Sequence, residues 1–487
     1  MSEWKPDLKR YPHFDQVLGL KEIDAIVKDP KRVAENAFFP FMRYSKGWQP
    51  FRQAEDDQKP KPKERPIRFA GRRDAYIFAY YRSLLAERYE AELAKLEISH
   101  CPLAYRRIPN DADPKRGKCN IHFAHDAFKA IQKQGDCCVI ALDISSYFDS
   151  IDHEKLKILW CRLLDQNRLP ADHFALFEAI TKYRFVEKLD VYQRLGYYGV
   201  RKTGVNGKPI MGYLTPFREI PTQLCNPATF RDKIVGKKGG YSTLIQRNKE
   251  KWGIPQGAPI SDLLANLYLI DFDVQMNQIA LDKGGRYFRY SDDIILILPV
   301  VRAEAAALMS TISDTIKDFG DQLQIKPAKS SLIEYRSSDG AQTFELVSGT
   351  QGAHGVEYLG FRFDGKGIYL RDSTLSNLHR RIAFSARNQA EAAVRRYQDK
   401  DYAQLCKAFD FEQFSKRFAR VEDFEDNDEY RKWTFWTYVT RAKEEFGDEG
   451  KPISRQMRNL KRRIRYRVEI ELQRALARKA KRLSSTP

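Results

Sequence analysis

The chain has 487 residues, a length at which roughly two to four domains and a sizeable buried core are expected. Its 84 lysine and arginine residues exceed its 65 aspartate and glutamate residues, so the formal net charge is +19. This excess favours a polyanionic partner, and nucleic acid is the first candidate. The seven cysteines are scattered without a C-x-x-C pair, which argues against a disulfide framework and a zinc ribbon and favours a reducing, cytoplasmic setting.

The positive charge is concentrated at the C-terminal end of the sequence. Residues 451–487 contain 13 lysine or arginine residues and only two acidic ones, Glu469 and Glu471, so more than half of the net charge lies there. The sequence has no run of about 18 apolar residues and no apolar segment near Met1 of the kind found in signal peptides. We therefore expect no membrane segment, and a basic tail that binds nucleic-acid phosphates.

The first half of the chain alternates between helical and strand patterns. Residues 74–96 and 122–134 carry apolar side chains at helical spacing. Residues 137–144 form a short apolar run without polar alternation, typical of a strand buried on both faces, and Asp143 lies near its end. Residues 153–164 predict another helix, and the Asn206-Gly207 pair in the Gly- and Tyr-rich stretch that follows predicts a hairpin turn.

The second half continues with a predicted helix over residues 260–276. Residues 286–290 and 294–298 then predict two strands, with Ser291, Asp292 and Asp293 at the bend between them. Residues 356–370 predict a hairpin that turns at residues 364–367, and the pattern is helical and basic from residue 373 onward.

Three aspartates at strand ends are candidates for a metal site. Asp143 ends the first buried strand, and Asp292 and Asp293 occupy the bend between two apolar strands. Carboxylates at such positions are costly without a cation, whereas the similar pair Asp56-Asp57 lies in a polar loop and has no assigned function. If the strands are neighbours in one sheet, these carboxylates can hold two Mg²⁺ ions, the arrangement that serves attack of a 3′-hydroxyl on an α-phosphate.

Five ordered segments resemble the catalytic motifs of reverse transcriptases. Residues 142–151 resemble the first motif, residues 253–261 the second and Tyr290-Ser291-Asp292-Asp293 the third. Residues 323–330 resemble the fourth and residues 358–361 the fifth. Upstream, residues 65–68 and 105–127 resemble the finger motifs of bacterial group II intron, retron and abortive-infection enzymes, so the resemblance covers roughly residues 40–370.

Within this prokaryotic group II intron and retron-like superfamily, the sequence is most similar to the abortive-infection, defence-associated (antiphage) enzymes. Asp262 stands where intron and retron enzymes tend to carry proline, and a long insert precedes Gly253. The C-terminal part is helical and lacks a recognisable maturase segment or Cys/His-rich nuclease pattern.

The resemblance implies a role for each matched residue. Asp143 and Asp292 would hold two Mg²⁺ ions, for which Mn²⁺ can substitute, with Asp293 and the backbone carbonyl of Ile144 assisting. Phe148 would exclude a 2′-hydroxyl and so favour deoxynucleotides, with a core aromatic as the alternative. The other implied residues are Lys329 to protonate the departing pyrophosphate, Arg68, Arg73, Gln256 and Gly257 to bind the nucleotide, and Tyr290, Tyr358, Leu359 and Gly360 to contact primer or template.

The implied fold is an α+β right-hand polymerase, with fingers and a palm whose antiparallel sheet carries the catalytic aspartates, followed by an α-helical C-terminal domain. The predicted division is an N-terminal segment (residues 1–58), fingers (59–135), a first palm part (136–182), a fingers-side insert (183–250), a second palm part with a primer-grip-like hairpin (251–371), and a basic helical thumb-like domain (372–487).

The implied activity is RNA-directed DNA polymerisation in bacterial antiphage defence. Synthesis on a non-coding RNA template, synthesis without a template and synthesis primed from a protein hydroxyl are the implied options. Expected partners are an RNA template, a DNA product and dNTPs, with a non-coding RNA, a partner protein and a second copy of the chain as further options. Two alternatives are a group II intron or retron-type enzyme that copies its associated RNA, and a catalytically weak polymerase fold that serves as an RNA-binding scaffold. An RNA-synthesising polymerase is disfavoured by Phe148. Cys119, His122 and His125 are spaced like metal ligands, but no second ligand pair accompanies them.

Overall fold

The structure is a computed structural model that describes residues 4–48, 63–111, 113–204, 207–236, 240–338, 341–418 and 434–484. The chain divides into two compact units. The first consists of Met1–Arg106, Leu142–Ile295 and Ala306–Lys326, and the second of Arg107–Ala141, Leu296–Ala305 and Pro327–Pro487. Asn206 of the predicted hairpin turn and the Asp56-Asp57 pair lie outside the described residues.

The helices of the described residues are given in chain order. They are α1 (Leu20–Val27), α2 (Pro30–Ala34), α3 (Arg72–Lys95), α4 (Asn120–Gln134), α5 (His153–Leu164), α6 (Ala171–Thr181), α7 (Lys188–Arg194), α8 (Pro227–Thr229), α9 (Ser261–Tyr268), α10 (Ile270–Asp282), α11 (Arg302–Thr315), α12 (Asp372–Arg396), α13 (Tyr402–Ala408), α14 (Phe411–Ser415), α15 (Phe435–Phe446), α16 (Lys451–Met457) and α17 (Leu460–Leu483).

The strands follow the same convention. They are β1 (Phe41–Trp48), β2 (Lys63–Phe69), β3 (Cys137–Asp143), β4 (Arg184–Glu187), β5 (Tyr198–Thr203), β6 (Pro209–Tyr213), β7 (Gln246–Arg247), β8 (Arg286–Tyr290), β9 (Asp293–Leu298), β10 (Ser331–Ser338), β11 (Ala341–Gly349), β12 (Val356–Tyr358), β13 (Phe361–Phe363) and β14 (Ile368–Leu370).

Two sheets position the functional residues of the first unit. One has the order β2-β1-β4-β7, with β1 antiparallel to β2 and parallel to β4. In the other, the end of β3 that carries Asp143 lies next to β9, and β9 lies next to β8. The hairpin β5-β6 is separate, and its antiparallel pairing agrees with the hairpin predicted around Asn206-Gly207.

The second unit contains its own strand pairings. Strand β10 pairs antiparallel with residues 137–141 of β3 on one side and with β11 on the other. Strands β12, β13 and β14 form a separate three-stranded antiparallel sheet. The long helices α12 and α17 of this unit pack along each other, and each has buried residues, among them Ile382 on α12 and Val468 on α17.

Local sequence explains the elements around the predicted motifs. Helix α5 begins after Asp152, whose side chain accepts a hydrogen bond from the Lys155 amide at 2.8 Å and thereby caps a free N–H. Its buried residues Leu156, Leu159 and Leu163 recur at helical spacing. Nearly every residue of β3 is buried, as its continuous apolar run predicts.

Two predicted elements differ from the structure. The predicted helix over residues 260–276 is two helices, because Leu269 leaves helical geometry at φ −102° and ψ 17°. Tyr268, Leu269 and Ile270 are all fully buried, so packing rather than a Gly or Pro breaker sets this boundary. The predicted hairpin over residues 356–370 has three strands, since the chain also turns at Leu359-Gly360.

The mixed helix and sheet content agrees with the predicted α+β class. No described helix combines the length and apolar character that crossing a bilayer requires. The predicted domain boundaries stay predictions.

Candidate active site

The bend between β8 and β9 has an unusual backbone conformation. Ser291 has a φ of +61°, a left-handed value that is uncommon for residues other than glycine. Its side chain is buried, and its hydroxyl accepts a hydrogen bond of 3.2 Å from the Tyr105 hydroxyl. The rings of Tyr105 and Tyr290 lie 6.5 Å apart. The bend therefore presents Asp292 and Asp293, both half-buried, on a turn held by side chains outside it.

Backbone hydrogen bonds bring Asp143 to this bend. The amide of Ile144 donates to the carbonyl of Asp292 at 2.9 Å. On its other side, the Lys326 amide donates to the Asp143 carbonyl at 2.8 Å. Asp143 is only 6% exposed. The structure thus brings together the ends of β3 and the β8-β9 bend, as the first and third predicted motifs require.

A buried ion pair between Arg289 and Asp273 contacts the backbone of the bend, and it was not predicted from the sequence. Arg289, fully buried, donates through Nε and Nη2 to the two carboxylate oxygens of Asp273 at 2.6 and 2.5 Å. The Tyr287 hydroxyl donates to the same carboxylate at 2.7 Å. Arg289 Nη1 then donates to the Ser291 carbonyl at 3.1 Å and to the Asn266 side-chain oxygen at 3.3 Å. The sequence did offer a signal for this pair, because Asp273 and Arg289 each lie in an apolar segment, and buried charges require partners.

The second predicted motif contacts the first through its backbone. The Ile254 amide donates to the Phe148 carbonyl at 2.8 Å, and the Phe148 ring lies 5.9 Å from the Tyr147 ring. Phe148 is half-buried, so part of its ring is accessible. These contacts place Phe148 beside the loop that leads to Gln256.

Glycine is required next to Gln256. The Arg68 amide donates to the Gln256 carbonyl at 2.9 Å, which joins this loop to β2. Gly257 has a φ of +113°, and a Cβ atom there would lie 2.7 Å from the Arg68 carbonyl oxygen. Only glycine fits this approach without displacement of β2.

The two predicted triphosphate-binding arginines have different surroundings. Arg68 is 6% exposed, lies over the rings of Tyr183 and Phe185 at 5.1 and 5.6 Å, and has Asp149 as a distant partner at 3.7 Å. Its Nε and Nη1 atoms find no hydrogen-bond acceptor in the described chain. Arg73 instead extends toward the N-terminal segment, where its Nη2 donates to the Ala37 carbonyl at 3.5 Å. Arg68 is therefore the better candidate for an anion ligand.

Four other predicted residues lie in the second unit. Lys329 ends the short 3₁₀ helix Pro327–Lys329 and is half-buried. Tyr358 is buried in β12, while Leu359 and Gly360 form the turn to β13. The Asn120 side chain donates to the Leu359 carbonyl at 3.1 Å, and the Arg371 amide donates to the Gly360 carbonyl at 3.0 Å. The roles of these four residues stay predictions.

Asp262, which set the predicted branch of the family, is held by an ion pair. Its two carboxylate oxygens accept from Arg82 Nε and Nη2 at 2.8 and 3.0 Å. Arg82 Nη2 also donates to the Tyr105 carbonyl at 2.8 Å. Asp262 is therefore linked through Arg82 to Tyr105, the residue whose hydroxyl contacts Ser291 in the bend.

The carboxylates of Asp143, Asp292 and Asp293 are the candidate metal ligands of this site. Among the residues that the structure describes, no group of three or more His, Cys, Asp or Glu side chains is arranged to hold a metal ion. The hydrogen bond from the Ile144 amide to the Asp292 carbonyl makes Asp143 and Asp292 neighbours on adjacent segments. Their carboxylate oxygens are the kind of ligand that hard cations prefer. Asp143 and Asp292 therefore offer the type of donor that a divalent cation prefers, but the described carboxylates do not form a three-ligand group.

The Cys119, His122 and His125 cluster gains one carboxylate. Cys119 Sγ lies 3.3 Å from His122 Nδ1, and Glu445 lies 3.6 Å from His122 Nε2 and 3.2 Å from His125 Nδ1. Burial raises the pKa of the Cys119 thiol, but the hydrogen bonds with the His122 ring and the Ile121 backbone, together with nearby positive charge, hold it below its usual value. The cluster does not meet the geometry of a metal site either.

Comparison with protein families adds one match. Residues 220–363 match the family model described as reverse transcriptase (RNA-dependent DNA polymerase). The matched region contains the second to fifth predicted motifs and begins after Asp143. The chain therefore contains a reverse transcriptase domain, the domain of RNA-directed DNA polymerases, and this supports its assignment to the nucleotidyltransferases. No curated protein matches the sequence.

Solved structures with similarity to the chain include two telomerases. Apo telomerase from Candida tropicalis matches with 12% identity and a TM-score of 0.36 over 88% of this chain and 65% of that chain. Telomerase from Candida albicans in complex with a fragment of telomeric RNA matches with 10% identity and a TM-score of 0.34 over 74% of this chain and 54% of that chain. The chain thus spans less than two thirds of the length of these structures.

Proposed function

We propose that this chain is an RNA-directed DNA polymerase that adds deoxynucleotides to a 3′-hydroxyl. The observation that carries the proposal is the hydrogen bond of 2.9 Å from the Ile144 amide to the Asp292 carbonyl. It holds the strand end that carries Asp143 beside the bend that carries Asp292 and Asp293. The matched reverse transcriptase domain supports the same activity.

Asp143 and Asp292 would hold two Mg²⁺ or Mn²⁺ ions, with Asp293 and the Ile144 carbonyl assisting. Metal ions at this position supply charge stabilisation for the attacking and leaving oxygens of phosphoryl transfer. The protein contributes rigidity, since the Ser291 backbone is fixed by Arg289 and the Ser291 hydroxyl by Tyr105. Carboxylates held on such a frame are positioned before substrate binds.

Arg68 and the Gln256-Gly257 loop would bind the incoming nucleotide. A buried guanidinium whose Nε and Nη1 lack acceptors is costly, and a triphosphate supplies acceptor oxygens of opposite charge. The hydrogen bond between the Arg68 amide and the Gln256 carbonyl keeps both residues at one place. Arg73 would contribute less than Arg68 to binding the triphosphate. Lys329 would protonate the departing pyrophosphate.

Phe148 would select the sugar. Replacing it with alanine is expected to increase ribonucleotide incorporation relative to deoxynucleotide incorporation by about tenfold or more, because a rejected hydroxyl is worth about 1.4 kcal/mol or more. Competing dNTP and rNTP in single-nucleotide extension measures this ratio. Tyr147→Phe serves as the control for local disturbance. Unchanged selectivity in Phe148→Ala would assign the ring to packing alone.

The predicted domain division is retained as part of the proposal. Fingers (residues 59–135), the palm parts (136–182 and 251–371), the insert (183–250) and the basic C-terminal domain (372–487) would form a right-hand polymerase. Tyr290 and the turn at Leu359-Gly360, which follows the buried Tyr358, would contact primer or template. RNA template, DNA product and dNTPs are the partners, and a cytoplasmic setting is proposed with them.

We propose that the biological role is antiphage defence. The features that favour it are Asp262, the long insert before Gly253 and the helical C-terminal region. A non-coding RNA, a partner protein or a protein primer fits this role, and oligomerisation is compatible with it. A group II intron or retron-type enzyme is the second candidate. Sequencing the nucleic acid that copurifies from cells tests this, since the second candidate predicts DNA copied from one associated RNA, whereas untemplated or protein-attached DNA would favour the defence role.

The activity itself is tested with purified full-length protein, a defined RNA template with an annealed DNA primer, and all four dNTPs with Mg²⁺. The expected result is DNA whose sequence is complementary to the template. Synthesis without template, or attached to the protein, would support the polymerase assignment but replace the templated mode. Nucleic-acid binding without any incorporation under Mg²⁺ or Mn²⁺ would favour the scaffold alternative and overturn the proposal.

A further inference from the structure

A basic cleft of about 650 Å³ lies in the first unit, where the N-terminal end of α5 meets β4 and β7. Its lining includes five cationic side chains, namely Lys182, Arg184, Arg247, Lys249 and Lys251, together with three carboxylates. One of those carboxylates, Asp152, is already used to cap α5 through its hydrogen bond to the Lys155 amide. Lys182 pairs at 2.7 Å with Glu178, which lies outside the lining, so four further cationic side chains face the three carboxylates of the cleft.

The two arginines of the cleft lie side by side on neighbouring strands. Arg184 and Arg247 are direct partners in the antiparallel register of β4 and β7, and both are exposed. In the part of the chain that the structure describes, neither guanidinium forms an ion pair, and the Glu187 carboxylate on the same strand as Arg184 pairs with Arg43 instead. Like charges directly opposite in a sheet are destabilising, and a bound anion removes that repulsion.

The remaining cations continue in a row from Arg247. Arg247, Lys249 and Lys251 are exposed, while the intervening Asn248 turns inward and donates to the carbonyls of Thr181 and Trp252 at 3.1 and 2.9 Å. Of these three cations only Arg247 lies in a strand, and the exposed Glu250 lies between Lys249 and Lys251 in the sequence. Three positive side chains within five residues still suit a ligand with repeated negative charges. A single small anion would need only one convergent group of donors.

The row leads directly toward the proposed nucleotide site. The His153 amide donates to the Lys251 carbonyl at 3.0 Å, and the Ile254 amide donates to the Phe148 carbonyl at 2.8 Å. Residues 251–254 therefore run alongside residues 148–153 and continue into the Gln256-Gly257 loop. A strand that occupies the cleft would pass beside Phe148.

We infer that the basic cleft binds the sugar-phosphate backbone of the single-stranded template ahead of the point of nucleotide addition. This inference rests on the proposed polymerase function and adds a residue-level path for the template. Contacts to phosphates, rather than to bases, explain why the lining offers cations and no exposed aromatic ring. Binding in the cleft should accordingly be independent of template sequence and sensitive to salt.

The test uses full-length protein and primer–template duplexes with either a short or a long 5′ template overhang. Binding is measured by fluorescence anisotropy over a range of salt concentrations, without dNTPs. The variant Arg247→Gln/Lys249→Gln/Lys251→Gln removes three cleft charges. The control Lys21→Gln/Lys31→Gln/Lys95→Gln removes three exposed charges elsewhere in the same unit.

Wild-type and control proteins should bind the long overhang more tightly than the short one. The cleft variant should lose about tenfold in affinity for the long overhang only, and its slope of log affinity against log salt should become shallower by about 2. Equal losses for both overhangs, or an unchanged slope, would overturn the inference. A loss produced equally by the control variant would do so too, since it reports net charge.

The inference and the proposed function fail separately. The Asp292→Asn/Asp293→Asn protein should keep the overhang-dependent binding, because its cleft is intact. Absence of incorporation by wild type would defeat the polymerase proposal, whatever the cleft does. Incorporation by wild type with the same overhang dependence in wild type and cleft variant would defeat the cleft alone.

Discussion

Replacing Asp292 and Asp293 with asparagine is expected to lower the rate of templated nucleotide addition by about 10³-fold or more. Such a loss corresponds to about 4 kcal/mol of transition-state stabilisation, a reasonable share for carboxylates that hold catalytic cations. Asparagine keeps the size of each side chain, so the bend and the hydrogen bond from the Ile144 amide to the carbonyl of residue 292 should persist. Single-turnover extension of a labelled primer measures the rate.

The matched control is Asp190→Asn, which removes one carboxylate from an exposed position on α7. It should leave the extension rate within about twofold of wild type, because exposed substitutions seldom disturb a distant site. Primer–template affinity should be similar in all three proteins. Equal extension by wild type and the double variant would show that the bend is not the catalytic centre.

Breaking the buried pair beneath the bend is expected to cost about 3–5 kcal/mol of unfolding free energy. In Arg289→Met the Asp273 carboxylate loses both guanidinium contacts, of 2.6 and 2.5 Å, in a fully buried position. A buried charge without its partner is among the most destabilising changes known for single substitutions. Urea denaturation measures the loss, and Arg82→Met, which breaks a half-buried pair with Asp262, should cost less.

A double variant separates stability from positioning. Asp273→Leu/Arg289→Met removes both charges, and apolar replacement of a whole buried pair often restores most of the stability. The Ser291 carbonyl would still lack the Arg289 donor that holds it at 3.1 Å. Extension should therefore stay well below wild type while stability recovers. Full recovery of both would make Arg289 a purely structural residue, and a single-variant cost below about 1 kcal/mol would contradict the burial argument.

Much of the secondary structure could be predicted because short-range chemistry specifies it. Helix α5 was predicted with its observed bounds from the local sequence pattern alone, and the structure adds that Asp152 caps its first turn. Strand β3 was predicted to within one residue from an uninterrupted apolar run. The break at Leu269 could not be predicted, because buried residues on both sides hide it within a continuous apolar pattern.

The candidate site was predicted less completely. Asp143, Asp292 and Asp293 were identified because carboxylates at the ends of apolar strands are conspicuous in a sequence. Arg68 and Arg73 looked equivalent, and only the structure separates them. Arg68 is buried and lacks acceptors at both Nε and Nη1, whereas Arg73 is half-buried, lacks an acceptor at Nε and contacts the Ala37 carbonyl through Nη2.

The sequence alone determined which residue types are available at the ends of the strands, and with them the reaction class that we propose. It also determined that residue 257 is a glycine, without a reason that could be read locally. Only the tertiary structure supplies the reason: Gly257 lies against the Arg68 carbonyl, nearly 200 positions earlier in the chain, and this leaves no room for a Cβ atom. It likewise decided the pairing of Arg289 with Asp273 and of Arg184 with Arg247. Contacts of this kind depend on distances between side chains that are remote in sequence, and periodicity carries no information about them.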